Sequence, residues 1–442
     1  MPPLGPATLA ARIRRAGHPV ALWDATFQAG PSTFRQCLEG VRPSRVLLFA
    51  DHHAIPAKMC LEAQTRAATE MVRLARAAGA EVAVAGPDAS DRPAVYRDAG
   101  AHAVLRGEVD LPATRWAAGE SLTSLPGTGA EPAPAMDLDD LPAPAWDLVD
   151  LREYARRWRA RHGAWEAPVS AARGCPYRCN WCAKPIWGRT LKLRQPGAVV
   201  AEARDLAARG ADRIWFTDDI FALKPSWLRK FREAVERAGG IPPYRCLARA
   251  DLLREPAYAD DLAATGCREV WIGAESGSDS VLERMDKDST VEDIRESTRR
   301  AHERGIRIGW FLQLGYPGET LDDVRATRNL ARAMAPDELG ISVSYPLPGT
   351  PFHERVKAQL KETNWQTAMD NRLLFDAPHS QRFYDHSREV IRREHAVIQA
   401  LASAGRIARG RAALADLRRL LAAPKHLARL PWEHLQMALA AT

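Results

Sequence analysis

Between residues 166 and 345 six β-rich apolar runs alternate with stretches of helical period, and no other feature of the chain restricts its fold as much. Strands are expected at 169–173, 213–217, 244–250, 269–273, 307–314 and 340–345, and helices at 196–208, 226–238, 256–265, 291–304 and 321–334. Parallel strands need long crossovers, and helices supply them, so the alternation implies an open or partial (β/α)6 barrel over residues 166–355. In such barrels function gathers at the C-terminal ends of the strands.

A second alternation lies ahead of the first. Helical period at 4–16 and 65–78 is interleaved with β-rich runs at 20–24, 45–50, 81–85 and 103–106, which implies an α/β, doubly wound (Rossmann-like) domain over residues 1–123. Residues 124–165 form a Pro-rich linker, with Pro, Gly, Ala and Asp concentrated in 124–144. From about residue 351 the pattern turns irregular, then amphipathic and rich in Leu, Ala and Arg through 390–439, so a helical extension over 356–442 is expected to cover the barrel. With 442 residues, 46% of them hydrophobic and 26% charged, the chain can bury a substantial core. No run approaches the roughly eighteen apolar residues that a membrane span needs. The net charge of +7 is spread as arginine along helix faces and not held in one basic block, so nucleic acid is not an expected partner.

The chemistry is concentrated in Arg173-Gly174-Cys175-Pro176-Tyr177-Arg178-Cys179-Asn180-Trp181-Cys182. Cys175, Cys179 and Cys182 form a C-x3-C-x2-C motif on the loop after the first barrel strand. Thiolates are the usual ligands of iron-sulfur clusters, and a short loop brings three of them to three corners of a 4Fe-4S cubane, leaving the fourth iron open. Structural zinc normally needs four ligands, and neither His162 nor the distant His302 completes a zinc pattern. Cys37, Cys60, Cys246 and Cys267 are scattered singly, as small buried hydrophobes are, and no signal peptide opens the sequence. A reducing cytoplasm is the expected compartment.

The cysteine motif, with Trp181 just before the third cysteine, resembles the radical S-adenosylmethionine superfamily over about residues 166–355. The resemblance implies that the open iron chelates the amino and carboxylate groups of S-adenosylmethionine and that reductive cleavage yields a 5'-deoxyadenosyl radical. Pro2-Pro3-Leu4-Gly5, Gly17-His18, Gly86-Pro87, Arg106-Gly107-Glu108 and the segment Leu141-Pro142-Ala143-Pro144-Ala145-Trp146 are similar to the subfamily with a cobalamin-binding domain. Thr363-Asn364-Trp365 with Phe383-Tyr384 resembles its branch of anaerobic magnesium-protoporphyrin monomethyl ester cyclases, which also holds methyltransferases. Membership implies a small-molecule substrate, an electron donor such as flavodoxin or ferredoxin, and methyl transfer or radical cyclisation or rearrangement. A cobalamin-free enzyme using the adenosyl radical alone, and a non-catalytic iron-sulfur redox protein, are the alternatives.

A rim that holds S-adenosylmethionine needs polar groups for its methionyl and ribose parts and a surface for adenine. Asp218 and Asp219, after the second barrel strand, are candidates for the amino group, although one of them could instead cap the next helix. Arg249 could pair with a carboxylate. Glu275 and Ser276 could bind ribose or the methionyl group, and Gly315 could let adenine lie against the backbone. Glu319 is expected at a helix N-terminus.

Two features depart from the cobalamin-binding pattern. Domains of that kind open with a strand ahead of Pro-Pro-Leu-Gly, whereas this sequence starts at Met1-Pro2-Pro3, so that strand is absent. In a doubly wound sheet the first strand is central, and its loss exposes neighbouring edges, by truncation of the start or by decay of the domain to a scaffold. Asp51-His52-His53 carries Pro56 where the cobalamin-ligand motif has glycine, and an exposed loop histidine such as His53 is more often simply polar.

Overall fold

The computed structural model describes residues 1–50, 62–182, 189–361, 372–408 and 414–441. Two compact units divide the chain: Met1–Tyr177 with Ala183–Cys246 and Asn364–Asp370 in the first, and Arg178–Cys182 with Leu247–Thr363 and Asn371–Thr442 in the second.

In the first unit β1 (Arg45–Phe49), β2 (Glu81–Ala85) and β3 (Ala103–Leu105) form a parallel sheet in the order β1-β2-β3. Val46 lies opposite Val82, and Val84 opposite Val104. Apolar residues on both faces let helices cover both sides. Phe34, Leu38, Met71, Val72 and Tyr96 pack on one face, and Leu9, Val109, Trp116, Leu122 and Leu125 on the other. This is the doubly wound arrangement expected of an all-parallel sheet.

Residues 20–24 do not form the expected strand. A β-strand exists by pairing with a neighbour about 4.8 Å away, and residues 20–24 have no such neighbour among the described residues. The outer edge of β1 is also without a paired strand there. A cleft of about 850 Å3 is lined by both, with Leu9 and Ile13 on one wall and Phe34, Leu38 and Met71 on the other. Residues 51–53, with His52 and His53, lie outside the described residues, as do Cys60 and 363–365.

The same unit continues through β4 (Glu166–Val169), the antiparallel ribbon of β5 (Ala172–Arg173) with β6 (Lys192–Leu193), and β7 (Arg213–Phe216) to β8 (Tyr244–Ala248), within which the division falls. The strands β4, β7 and β8 pair in parallel, with Val169 opposite Phe216 and Ile214 opposite Tyr244. Phe216, Phe221, Trp227, Phe231 and Tyr244 stack into one aromatic core beneath them. The Pro-rich stretch is anchored: Ala133 donates its N–H to the Arg106 carbonyl, and Asp139 accepts from the backbone and side chain of Gln195. Part of the expected linker is helix Leu151–His162, started by Asp150 accepting from the Glu153 N–H and ended by Gly163 at φ 79°.

In the second unit β9 (Cys267–Glu275), β10 (Arg307–Leu314) and β11 (Glu338–Val343) are parallel, with Trp310 opposite both Ile272 and Leu339. Helices Val291–Glu303 and Leu321–Met334 each open with a capping box, Thr290 with Asp293 and Thr320 with Asp323. Helices Gln381–Ala408 and Leu414–Ala441 make the C-terminal extension. The first of them is fixed to Leu321–Met334 by the Arg328–Glu394 ion pair, and Gln399 donates to the Pro336 carbonyl. Among the described residues no helix is long and apolar enough to cross a membrane.

Candidate cofactor sites at the strand ends

A crevice in the first unit is lined by the ends of β1, β2 and β3 (Phe49, Gly86, Asp110) together with Ser170, Asp218 and Asp219 beyond β4 and β7. Asp218 is buried. One carboxylate oxygen, Oδ1, accepts from the N–H groups of Ala171 (2.8 Å) and Ala172 (2.7 Å) and from the Ser170 hydroxyl (3.1 Å), while Oδ2 has no partner among the described residues. Burial pushes its pKa up to about 7 in spite of those donors. The next helix starts at Pro225 with Lys224 at its N-cap, so neither Asp218 nor Asp219 caps it.

Because its folded pKa is raised, Asp218 keeps a proton between about pH 4 and 7 that the unfolded chain releases, and stability falls as pH rises through that window. Asp218→Asn, whose amide oxygen can accept the same three bonds, is expected to remove this part of the decline. Its urea midpoint should exceed that of the parent at pH 8 and approach it at pH 4, a difference on the order of 2–4 kcal/mol. Equal midpoints at both pH values would show that Asp218 stays ionised.

Arg173, two residues ahead of Cys175, donates to Glu108 (2.6 Å) and Asp110 (2.7 Å) beyond β3. All three side chains are nearly buried. Burial raises Glu108 to about pKa 7, against the pull of Arg173. Burial works on Asp110 in the same direction, but Arg173 and the hydrogen bond from Glu108 hold it below the usual carboxylate range. The Oδ1 atom of Asp110, at the crevice, is buried without a partner among the described residues.

In the second unit Cys179 and Cys182 bound a turn closed by the Cys182 N–H on the Cys179 carbonyl (3.1 Å). Asn180 anchors it. The Asn180 N–H donates to the Met285 carbonyl (3.1 Å), its amide nitrogen to the Arg284 carbonyl and Asp286 (2.8 Å each), and its amide oxygen accepts from the Tyr316 hydroxyl (2.6 Å). Trp181 packs against the cluster of Tyr316, Phe352 and Phe375, and its buried Nε1 has no partner among the described residues.

Lys287 stands 5.8 Å from the centre of the Trp181 ring and pairs with Glu275 at 2.9 Å. Burial opposes the ammonium, yet Glu275 and then Cys179 hold its pKa above the ordinary value. Glu275, Asp286 and Asp288 all take left-handed φ, at 58°, 51° and 52°. Such conformations cost free energy outside glycine and gather where function over-determines the backbone.

Arg249 and Ser276 are both engaged within the protein. The Arg249 guanidinium binds Asp251 (2.8 Å) and the carbonyls of Lys287 (2.9 Å) and Asp288 (2.8 Å), which braces the strained loop. Ser276 is fully buried, with its hydroxyl 3.1 Å from that of Thr327 and accepting from the Ser278 N–H. Gly277 is required there, since a Cβ would lie 2.6 Å from Thr327 Cα. At Gly315, with φ 81°, the N–H donates to Glu319 (2.7 Å), and an added Cβ would touch Leu373 and Tyr384 at 3.4 Å. Glu319 closes this turn instead of opening the helix, which Thr320 caps; burial raises it to about pKa 8.

Asn180, Lys287, Glu108 and Asp110 were not among the expected site residues.

The family model of the radical SAM superfamily matches residues 169–331. The chain is 24% identical over 214 residues to bacteriochlorophyllide d C-12(1)-methyltransferase of Chlorobaculum tepidum, covering 47% of this chain and 46% of that protein. With hopanoid C-3 methylase of Methylococcus capsulatus it shares 25% identity over 391 residues, 86% of this chain and 72% of that one. Apart from such longer matches, the chain spans about half the length of the curated relatives it matches. The solved structure of the radical S-adenosylmethionine methyltransferase TsrM from Kitasatospora setae, with cobalamin and a 4Fe-4S cluster bound, superposes with TM-score 0.66 at 22% identity, covering 80% of this chain and 74% of that one. That is a likeness of fold: a Rossmann-like domain, a partial barrel and C-terminal helices. It is the family model that marks residues 169–331, which hold the cysteine motif, as a radical SAM domain.

Proposed function

We propose that this chain is a radical S-adenosylmethionine enzyme that transfers a methyl group to a small molecule with the help of cobalamin. The C-x3-C-x2-C motif, set in the loop beyond β4 within a radical SAM domain, carries the reading. When bound, the cluster supplies the electron that cleaves the sulfonium of S-adenosylmethionine, and cobalamin supplies a methyl carrier.

The residues present fit these groups. Cys175, Cys179 and Cys182 are the thiolates for three irons. Lys287 keeps a positive charge beside Cys179, and Asn180 fixes the turn. Among the described residues the Trp181 Nε1 donor is without a partner. For cobalamin, whose corrin rim is a ring of amide donors, the crevice beyond β1–β3 offers buried acceptor atoms at Asp110 and Asp218 that have no partner among the described residues. Methyl transfer is preferred over ring closure because methylases and methylthiotransferases stand among the relatives by name. An external one-electron donor of flavodoxin or ferredoxin type and a reducing compartment such as the cytoplasm suit such a site.

Anaerobic reconstitution with iron, sulfide and hydroxocobalamin tests the reading. About four irons and one cobalt per chain are expected. Zinc without iron would overturn it. Iron without cobalt would favour an adenosyl-radical enzyme.

A further inference from the structure

The last helix, Leu414–Ala441, packs on Gln381–Ala408 by one face and leaves the other uncovered among the described residues. Leu417, Leu421, Trp432, Leu435 and Leu439 fall at spacings of 4, 11, 3 and 4, which puts them within about 60° of one another around the helix. Each is at least half exposed or nearly so, from 49% at Leu417 to 82% at Leu421. Single exposed leucines are ordinary, but an aligned row of this length is not.

The charges on this helix are sorted as well. Arg418, Lys425 and Arg429 are exposed, whereas both of its acids, Asp416 and Glu433, are 4% exposed. Glu433 is turned inward to His386 (2.8 Å) and Arg393 (3.6 Å) on the neighbouring helix. The outward face is therefore apolar and cationic, with no anion. On other helices some exposed charges come in opposite pairs, as Arg299 with Glu296 and Glu303 or Arg232 with Glu236 do.

We propose that this face docks on an anionic lipid surface. A row of leucines with a tryptophan sinks to the level of the headgroups while flanking Lys and Arg extend to phosphates, and this is the pattern of a helix that lies in an interface without spanning it. A second copy of the chain suits the face less well, because a two-fold contact would bring Arg418, Lys425 and Arg429 against their own equivalents. A chain held at a bilayer would draw an apolar substrate from it. That consequence rests on the methyl-transfer reading, whereas the docking does not.

Flotation of the full-length chain, free of added cofactor, with vesicles of phosphatidylglycerol mixed with phosphatidylcholine tests the proposal. The chain should float with these vesicles, and far less with phosphatidylcholine alone or at high salt. Lys425→Gln with Arg429→Gln should weaken partition by roughly fivefold per charge. Leu421→Gln with Leu435→Gln should abolish it; these side chains are exposed, so an unchanged melting temperature certifies the fold. The proposal is overturned if the parent fails to float, if the variants float as well as it does, or if sedimentation shows a dimer that the leucine variant converts to monomer. None of these readouts requires the cluster or cobalamin, so failure here and failure of the enzymatic reading are separable.

Discussion

Cys179→Ala is expected to take up fewer irons than the parent, to lose the broad visible absorbance of an iron-sulfur centre, and to cleave no S-adenosylmethionine. A cubane held at three corners has no spare protein ligand, and a methyl group cannot replace a thiolate. The loss should be chemical and not structural. Cys179 is only partly buried, and the turn around it is closed by backbone and by Asn180, not by its sulfur. The melting temperature of the variant without cluster should match that of the parent in the same state. Cys246→Ala and Cys267→Ala supply the contrast. Both cysteines are buried away from the motif, so each replacement leaves a small cavity and should cost about 1 kcal/mol while the cluster assembles normally. The motif assignment does not survive an outcome in which Cys179→Ala retains both absorbance and cleavage.

Much of the scaffold was legible because strand and helix periods are local. The edges of β2 and β10 and of helix Leu321–Met334 fall where the pattern puts them. Helices Pro31–Val41, Asp110–Ala117 and Leu151–His162 escaped the reading. The last of these carried a readable signal in Asp150, Glu153 and Gly163, which its position beside a Pro-rich stretch obscured. Residues 20–24 show the converse. Their β-rich composition is sound, but a strand is a property of a pair, and a single chain segment cannot report that its partner is missing.

The site divides along the same line. Three cysteines at fixed spacing are a local signal. Lys287 and Asn180 are not, because the contacts of Asn180 with Arg284 and Tyr316 join residues 104 and 136 positions apart. Arg249, Glu275 and Ser276 were recognised as polar groups at strand ends. What each of them touches depends on neighbours distant in sequence: Lys287 and Asp288 at Arg249, Lys287 at Glu275 and Thr327 at Ser276.

Replacing Arg173 should give the largest change in stability. Its guanidinium is the shared partner of Glu108 and Asp110, whose side chains are each only 3% exposed. Arg173→Met fills a similar volume but leaves two carboxylates facing each other in a low dielectric. Breaking one side of a buried ion pair costs about 3–5 kcal/mol, far more than the intact pair contributes over an apolar substitute. The cost should depend on pH with a definite sign. Glu108 already has its pKa raised to about 7 and would rise further without the arginine, so at pH 6 it takes a proton and can donate to Asp110. At pH 8 that relief is smaller. The destabilisation of Arg173→Met, read from urea midpoints, should therefore grow from pH 6 to pH 8. Glu108→Gln sharpens the test, because it keeps the Arg173–Asp110 bond and removes the raised carboxyl. In the parent that carboxyl holds a proton from about pH 4.5 to 7 that the unfolded chain gives up, and stability declines over that window. The glutamine variant should lose this share of the decline and cost little at pH 8. A destabilisation by Arg173→Met that is small and independent of pH would mean that water, not Arg173, satisfies the two carboxylates, and that the segment leading into the cysteine motif is held by its backbone alone.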